Sequence, residues 1–351
     1  MISSTNPDRI FLAILASWLL GCQESDREIT ECKPIGDPFQ ISAVNYSTNY
    51  YFVDTSYVSL YEQFFLSDPT VVDPALQILE TEVWVSRLGA LPNVYEIHGK
   101  AYVHLPAYRG GYPNSLRTGP DEPGNIEEGP FFRLDRSQYE TLGDGYPGII
   151  RLRDNVSDYG VIAIAYRRAD GAQFGEFARD VLDSAFVASG IPILLKLVKP
   201  VNLLSNGPAY RDPWRLLVKS IYPIGYSGVI RTQFQLDVFE QTGATPGQHS
   251  ILGKPLLAVL GLDRYTSDGA PGEDGVFDYR PGRTIDQIRG DIILPYVRPF
   301  DNGIRKYFAS IGQPISPASN VLLPQLYDLP TTALARRLAS KYVFEGSALH
   351  Q

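Results

Sequence analysis

Short apolar and polar runs alternate along most of the chain after residue 50, and glycine or proline interrupts them at short intervals. The clearest alternation lies in GVIRTQFQLDVFEQTG, where every second side chain is predicted to face the same way. These side chains are Ile230, Thr232, Phe234, Leu236 and Val238. A period of two with a polar opposite face predicts a half-buried strand. The segment GVIAIAY, from Gly160 to Tyr166, is apolar throughout and predicts a central strand covered on both faces.

Other segments predict further strands and a few short helices. IPILLKLVKP predicts a strand, and NVYEIHGKAYVHLPAY predicts a hairpin that turns around Gly99. DPWRLLVKS predicts a short helix with Asp212 as its N-cap and Pro213 as its first residue. TTALARRLASKYVF, at 331–344, has the spacing of a short terminal helix.

The fold is therefore predicted to be mainly β, built of β-sandwich-like modules with a few short helices. The abundance of strand-favouring tyrosine, 22 residues, beside 31 glycines and 27 prolines supports this class. The expected divisions are a signal or lipoprotein-like segment at 1–22, a linker at 23–48, a first β-rich module at 49–184 and a second at 185–351. The second module contains an Asp/Gly-rich loop and the terminal helix.

The first residues have the profile of an export signal. The apolar run from Ile10 to Leu20 is too short to span a bilayer as a helix and fits the apolar core of a signal peptide. LLGC, ending at Cys22, resembles the lipobox of bacterial lipoproteins, which implies lipidation of Cys22. Cys32 is then an unpaired thiol; without lipidation the two cysteines could form a local disulfide. A mis-assigned start and a buried strand remain alternative interpretations.

Charge and motifs argue against two classes of function. The net charge of −8 argues against nucleic-acid binding, which needs clustered Lys and Arg. The sequence has no HExxH motif, nucleophile elbow, P-loop or Rossmann glycine pattern. His98 and His104 could share one face of a strand pair, but polar strand residues are the simpler interpretation. We therefore expect a protein that is not an enzyme, and a hydrolase with paired carboxylates ranks last among the alternatives.

The segment DRYTSDGAPGEDGVFDYRPGR gathers four aspartates among glycines and prolines: Asp263, Asp268, Asp274 and Asp278. Calcium takes six to eight oxygen ligands, often from carboxylates spaced along a Gly-containing loop. The segment does not match the EF-hand pattern. It is predicted to be either a calcium loop formed by these four carboxylates or a long turn in which Asp and Gly fix the backbone.

A series of short segments, in one order along the chain, resembles a known family. They include FVDTSYVSLY, ETEVWVSRLG, GVIAIAYRRADGAQFGEFARD, DPWRLLVKSIYPIG and RTQFQLDVF. The strongest match is GEDGVFDYRPGRTID followed by GDIILPYVRPF, and the whole series spans about residues 50–346. The chain resembles the SprA family, also called Sov, the very large outer-membrane translocon of the type IX secretion system of Bacteroidetes.

The resemblance implies a non-enzymatic structural and docking module in the cell envelope, associated with the outer membrane on its periplasmic or surface side. The implied partners are a PorV-like β-barrel protein, a plug protein, the rest of the translocon and exported proteins. At 351 residues the chain is expected to be a fragment, a split gene product or a stand-alone relative of that larger β-barrel protein. The alternative is a stand-alone surface lipoprotein that binds a glycan or another ligand through a β-sandwich with tyrosine-rich strands.

Overall fold

The structure of the protein is a computed structural model. It describes residues 36–67, 72–86, 96–181, 183–203, 207–241, 247–328 and 341–350. The predicted signal segment with Cys22, the linker residue Cys32, and residues 331–340 of the predicted terminal helix lie outside these ranges. The predicted mainly β class with a few short helices is confirmed. Within the described ranges, no helix is both long and apolar enough to span a bilayer.

The regular elements are short. The strands are β1 (Asp37–Ser42), β2 (Tyr50–Phe52), β3 (Ile78–Ser86), β4 (Ile97–Tyr102), β5 (Ile126–Arg133), β6 (Tyr139–Thr141), β7 (Ile149–Leu152), β8 (Val161–Arg168), β9 (Gln173–Phe174), β10 (Ile193–Lys199), β11 (Ile221–Pro223), β12 (Val229–Glu240), β13 (Ser250–Ile251), β14 (Lys254–Pro255), β15 (Ile285–Asp286), β16 (Asp291–Ile293) and β17 (Tyr342–His350). The α-helices are α1 (Thr55–Val58), α2 (Tyr61–Leu66), α3 (Asn114–Thr118), α4 (Ala178–Val181), α5 (Ser184–Ser189), α6 (Arg211–Leu216), α7 (Leu256–Val259), α8 (Ile304–Ser310) and α9 (Gln325–Asp328).

The largest sheet closes on itself. Its strand order is β10-β4-β5-β3-β8, and β8 also pairs with β10, so that five strands form a ring with β9 added at β8. The β10–β4 pairing is parallel and the others are antiparallel. Side chains from all five strands form one buried cluster, which fills the interior of the ring: Trp84, Ile97, Ala101, Phe131, Val161, Ala163, Ala165, Ile193, Leu195 and Leu197. Closure leaves the ring without a free edge among these strands.

Strand β8 is buried on both faces, as its apolar sequence predicts. Val161, Ala163 and Ala165 face the interior of the ring. Ile162 and Ile164 belong instead to the main core, which continues through the small sheets β2-β7-β6 and β11-β16-β15. The outer face of the closed sheet is therefore the surface on which the rest of the molecule packs.

A second sheet joins the two ends of the described chain. Its order is β1-β17-β12, and β1 pairs antiparallel with β17 from Asp37↔Ala348 to Ser42↔Val343. The sequence prediction put residues 37–42 in the linker, and it put residues 342–344 in the terminal helix. Both are strands because each finds its partner about 300 residues away along the chain, which a local pattern does not report.

The hairpin predicted around Gly99 is wrong, because β4 runs straight through that residue. A Cβ atom at Gly99 would lie 2.7 Å from Cδ2 of Phe131, on the neighbouring strand β5. The glycine therefore serves close packing inside the ring rather than a turn.

Two further predictions are right only in part. Helix α6 begins at Arg211 with Tyr210 as its N-cap, so Asp212 lies inside the first turn and is not the cap. Strand β12 alternates as predicted from Phe234 to Val238, but its register with β17 shifts between Ile230 and Gln235. The shift is a bulge, which breaks the period of two and leaves Thr232 exposed.

The boundary predicted between residues 184 and 185 stays a prediction. Strand β10 follows that boundary in the chain and completes the closed sheet formed by β3, β4, β5 and β8. The main buried cluster also takes side chains from both sides of it, among them Val83 and Leu217.

Candidate functional site

Two of the four predicted aspartates hold the base of the loop at residues 263–283, which follows α7 and which we call the aspartate loop. Asp263 is 1% exposed, and its carboxylate accepts hydrogen bonds from the backbone N–H groups of Asp274 and Gly275, each at 3.0 Å. Asp278 accepts from the N–H groups of Arg264 at 2.6 Å and Tyr265 at 3.3 Å. Burial raises the pKa of both carboxyl groups, while these hydrogen bonds oppose the increase. The pair fastens the start of the loop to its end.

The other two aspartates lie at the exposed tip of the same loop. Asp268 accepts a hydrogen bond from the hydroxyl of Thr266. Asp274 accepts from the backbone N–H groups of Ser267 at 2.7 Å and Val276 at 3.1 Å. Hydrogen bonds from the hydroxyl groups of Thr266 and Ser267 hold the pKa values of Asp268 and Asp274 below the ordinary range. All four carboxylates thus act as acceptors for the loop itself, which is the turn role that the sequence left as one alternative.

The loop offers little to a metal ion. In the part of the chain that the structure describes, which includes the whole loop, no group of three or more His, Cys, Asp or Glu side chains could hold a metal. A calcium ion needs six to eight oxygens, and here it would compete with N–H and O–H donors for the carboxylate oxygens. The calcium site at Asp263, Asp268, Asp274 and Asp278 stays a prediction without support from this geometry.

A shallow cavity of about 400 Å³ lies beside the loop. Its wall includes Arg231, on the bulge of β12, and Tyr265. The guanidinium of Arg280 lies 4.3 Å from the centre of the Tyr265 ring and covers one of its faces. Phe234 packs against Phe277, with ring centres 5.2 Å apart. The sequence did not reveal this cavity, because the bulge that brings Arg231 to it has no signature in the apolar pattern.

The histidines lie apart, each beside a carboxylate. His98 contacts Glu128 at 2.8 Å across the β4–β5 pair, whereas His104 contacts Asp212 at 3.1 Å near α6. The two histidines that the sequence suggested could share a face therefore have different partners. Both side chains are exposed, which is typical of surface pairs rather than of a general acid or base in a cleft.

A two-residue turn presents an exposed leucine between β13 and β14. Leu252 and Gly253 have φ values of +49° and +82°, which a type I′ turn requires. Asparagine or glycine normally occupies the first position, since a branched side chain is strained in left-handed backbone. Leu252 is nevertheless 64% exposed. Because Leu252 has strained backbone and buries little of its side chain, packing within the fold does not explain a leucine here, and we infer a functional role.

The leucine turn lies next to two other surface segments. Lys254 Nζ contacts Glu273 Oε1 of the aspartate loop at 2.5 Å and lies 5.5 Å from the centre of the Tyr307 ring on α8. Each of the three segments carries an exposed aliphatic side chain. We define these three side chains as the apolar rim: Leu252 at 64% exposed, Val276 at 55% and Ile311 at 42%.

Comparison with known proteins adds no assignment. No protein-family model matches the chain, and no curated protein matches it at a significant level.

Proposed function

We propose that this chain is a non-enzymatic structural and docking module of a type IX protein secretion translocon of the SprA family, acting at the outer membrane. The observation that carries the proposal is the ordered series of sequence segments that resemble that family. In this protein GVIAIAYRR forms β8, DPWRLLVKSIYPIG forms α6 and β11, and GEDGVFDYRPGRTID forms most of the aspartate loop. The resembling segments thus build the scaffold.

The chemistry of the aspartate loop also fits a scaffold better than a reaction centre. An acid or base that transfers protons needs a free oxygen or nitrogen within reach of a substrate. The carboxylates of Asp263 and Asp278 instead accept hydrogen bonds from backbone N–H groups of their own loop. Their role is to hold the loop in one shape, and a loop of fixed shape suits docking because little entropy is lost on binding.

The apolar rim is the surface that we assign to docking. It joins the β13–β14 turn, the aspartate loop and the end of α8, and all three segments expose aliphatic side chains. Lys254 connects the three segments through its contacts with Glu273 and Tyr307, and exposed apolar surface is a feature of protein interaction sites. The partners that the proposal names are a PorV-like β-barrel protein, the plug protein and the rest of the translocon; exported proteins are transient partners.

The proposal is tested by capture from outer membranes of a bacterium that uses type IX secretion. We expect the tagged chain to recover a PorV-like or plug protein, identified by mass spectrometry. The variant Leu252→Asn is expected to lose this recovery, although it is expected to be more stable by up to about 1 kcal/mol because asparagine suits the left-handed turn.

The matched control is Ile288→Asn, which removes another exposed aliphatic side chain, 72% exposed, in the β15–β16 turn. We expect it to recover the same partners as the unmodified chain. Recovery of no secretion-system protein by the unmodified chain contradicts the proposed function. Equal recovery by Leu252→Asn contradicts the assignment of the apolar rim.

The second candidate is the surface protein that binds a glycan. The cavity beside the aspartate loop supports it, since it combines Tyr265 with arginine and carboxylate side chains. Against it, Arg280 covers one face of the Tyr265 ring, and sugars stack on open aromatic faces. A glycan array decides the matter: specific hits that are lost in Tyr265→Ala support this candidate, and an array without hits removes it.

A further inference from the structure

A larger cavity, of about 750 Å³, lies among α1, α2, α6 and α9. One part of its wall is apolar and includes Phe52, Val58 and Leu217. Another part is cationic and includes Arg211, Arg215 and Arg298. Most of the other lining residues are polar, and the two acidic ones, Glu62 and Asp328, pair with Lys306 and Arg298 respectively. A cavity of this size that combines apolar side chains with a few placed charges is a usual form of a small-molecule site.

The floor of the cavity carries a buried amine. Lys219 is 4% exposed, and its Nζ donates hydrogen bonds to the backbone oxygens of Trp214 and of Leu217, the latter at 3.0 Å. Burial, together with the nearby charge of Arg298, lowers the pKa of Lys219 well below its ordinary value. The positive charge that a ligand meets in this cavity therefore comes from the arginine side chains of the wall.

The arginines of the wall differ in how far their charges are neutralised. Arg298 pairs with Asp301 at 2.6 Å and Asp328 at 2.7 Å. Arg215 has only a loose pair with Asp212, at 3.7 Å. Among the described residues, the guanidinium of Arg211 has no hydrogen bond or ion pair. Arg211 and Arg215 are four residues apart on α6 and so lie on the same face of the helix.

We propose that this cavity binds a small amphipathic acid, with Arg211 and Arg215 holding its carboxylate or phosphate group and the apolar wall covering its hydrocarbon body. Each guanidinium group offers the forked pair of N–H donors that a carboxylate or phosphate accepts. This inference is independent of the proposed docking function.

The test measures thermal stabilisation and calorimetric binding of the full chain with four probes. Octanoate and octyl phosphate carry both features of the ligand, octanol lacks the oxyanion, and inorganic phosphate lacks the apolar body. We expect octanoate or octyl phosphate to raise the melting temperature, by linkage, more than the other two probes. The stronger of these two probes identifies the oxyanion as carboxylate or phosphate.

Arg211→Gln and Arg215→Gln are each expected to weaken binding about tenfold, which is the usual effect of losing a charged hydrogen bond. Arg109→Gln is the control, since Arg109 is also exposed but does not line the cavity. The inference is overturned if neither amphipathic probe binds, if octanol binds as well as octanoate, or if the double variant Arg211→Gln/Arg215→Gln binds like the unmodified chain.

Discussion

Strand β10 and the aspartate loop both use charged side chains to hold irregular backbone, but they do so with opposite groups. On β10, Lys199 Nζ donates hydrogen bonds to the backbone oxygens of Gly160 at 2.6 Å and Ser157 at 2.9 Å. In the loop, Asp263 accepts from backbone N–H groups. One region satisfies orphaned carbonyl groups, and the other satisfies orphaned amides.

The two regions differ in reach. Lys196 and Lys199 connect β10 to segments between about 40 and 140 residues away in sequence, at Gly160, Val103 and Asp54. Asp263 and Asp278 bind amides no more than 14 residues away. The lysines therefore tie together separate parts of the fold, whereas the aspartates fix one loop. Loss of a lysine contact should lower the free energy of global unfolding. Loss of an aspartate contact should mainly lower the free energy of local opening of the loop.

The largest effect is expected at the ion pair of Lys196 with Asp54. Lys196 is buried, and its Nζ lies 2.5 Å from Asp54 Oδ2. Burial alone would raise the pKa of Asp54, but the charge and hydrogen bond of Lys196 hold it below its ordinary value. Asp54→Asn leaves a buried ammonium without a counter-charge, and we expect a loss of about 3 to 5 kcal/mol in the free energy of unfolding, measured in urea.

The control for this change is Glu273→Gln, which breaks the more exposed pair with Lys254. An exposed pair contributes less than about 1 kcal/mol, so little change is expected. If Asp54→Asn lowers the free energy of unfolding no more than the control does, the lysines of β10 do not stabilise the whole fold as we infer.

The next effect concerns the pH dependence of stability. Burial lowers the pKa of Lys199 from 10.5 to about 8. Between these values the unfolded chain binds the proton and the folded protein does not, so this lysine makes stability rise as the pH increases. We expect the free energy of unfolding, relative to Lys199→Met, to rise by about 2 to 3 kcal/mol between pH 8 and pH 10. A constant difference across that range would show that Lys199 keeps an ordinary pKa in the fold.

The sequence predicted the strands better than their pairing. Apolar runs such as the one that forms β8 report burial directly, because a side chain covered on either face must be apolar. The ring closes because β10 pairs with both β4 and β8. The apolar pattern of a strand shows that it is buried but does not show which strands it pairs with. Gly99 shows a further limit: a glycine in a strand indicates a turn or a close contact, and only the ring of Phe131 distinguishes them.

The aspartate loop was found from sequence, whereas the lysines and the arginine-lined cavity were missed. Four aspartates among glycines are a visible cluster, and their role as turn acceptors was one of two stated alternatives. Lys196 and Lys199 lie within the apolar run ILLKLVK, and this placement was the available signal: a lysine inside a buried strand needs a partner. Arg211 and Arg298 are far apart in the chain, so no local pattern connects them.

A smaller effect is expected when the loop is changed. Asp263→Ala leaves the N–H groups of Asp274 and Gly275 without their acceptor in a part-buried setting, and we expect a loss of about 1 to 2 kcal/mol in the free energy of unfolding. Hydrogen exchange should quicken at those two amides and stay unchanged in β8 and β10. Asp274→Ala, at the exposed tip, is the matched variant and should have a lesser effect. Faster exchange throughout the closed sheet would contradict the local role of the loop.

The smallest effect is expected from calcium. The four carboxylates already accept hydrogen bonds from the loop, so the backbone does not need an ion to hold its shape. We expect the melting temperature in EDTA to stay within about 1 °C of that in millimolar calcium, a difference below about 0.7 kcal/mol in the free energy of unfolding. A clear decrease in EDTA, absent in Asp268→Asn, would instead mean that the tip rearranges to bind the ion. The aspartates would then tie the loop through a cation, as the lysines tie β10 through their own charge, and the contrast between the two regions would be lost.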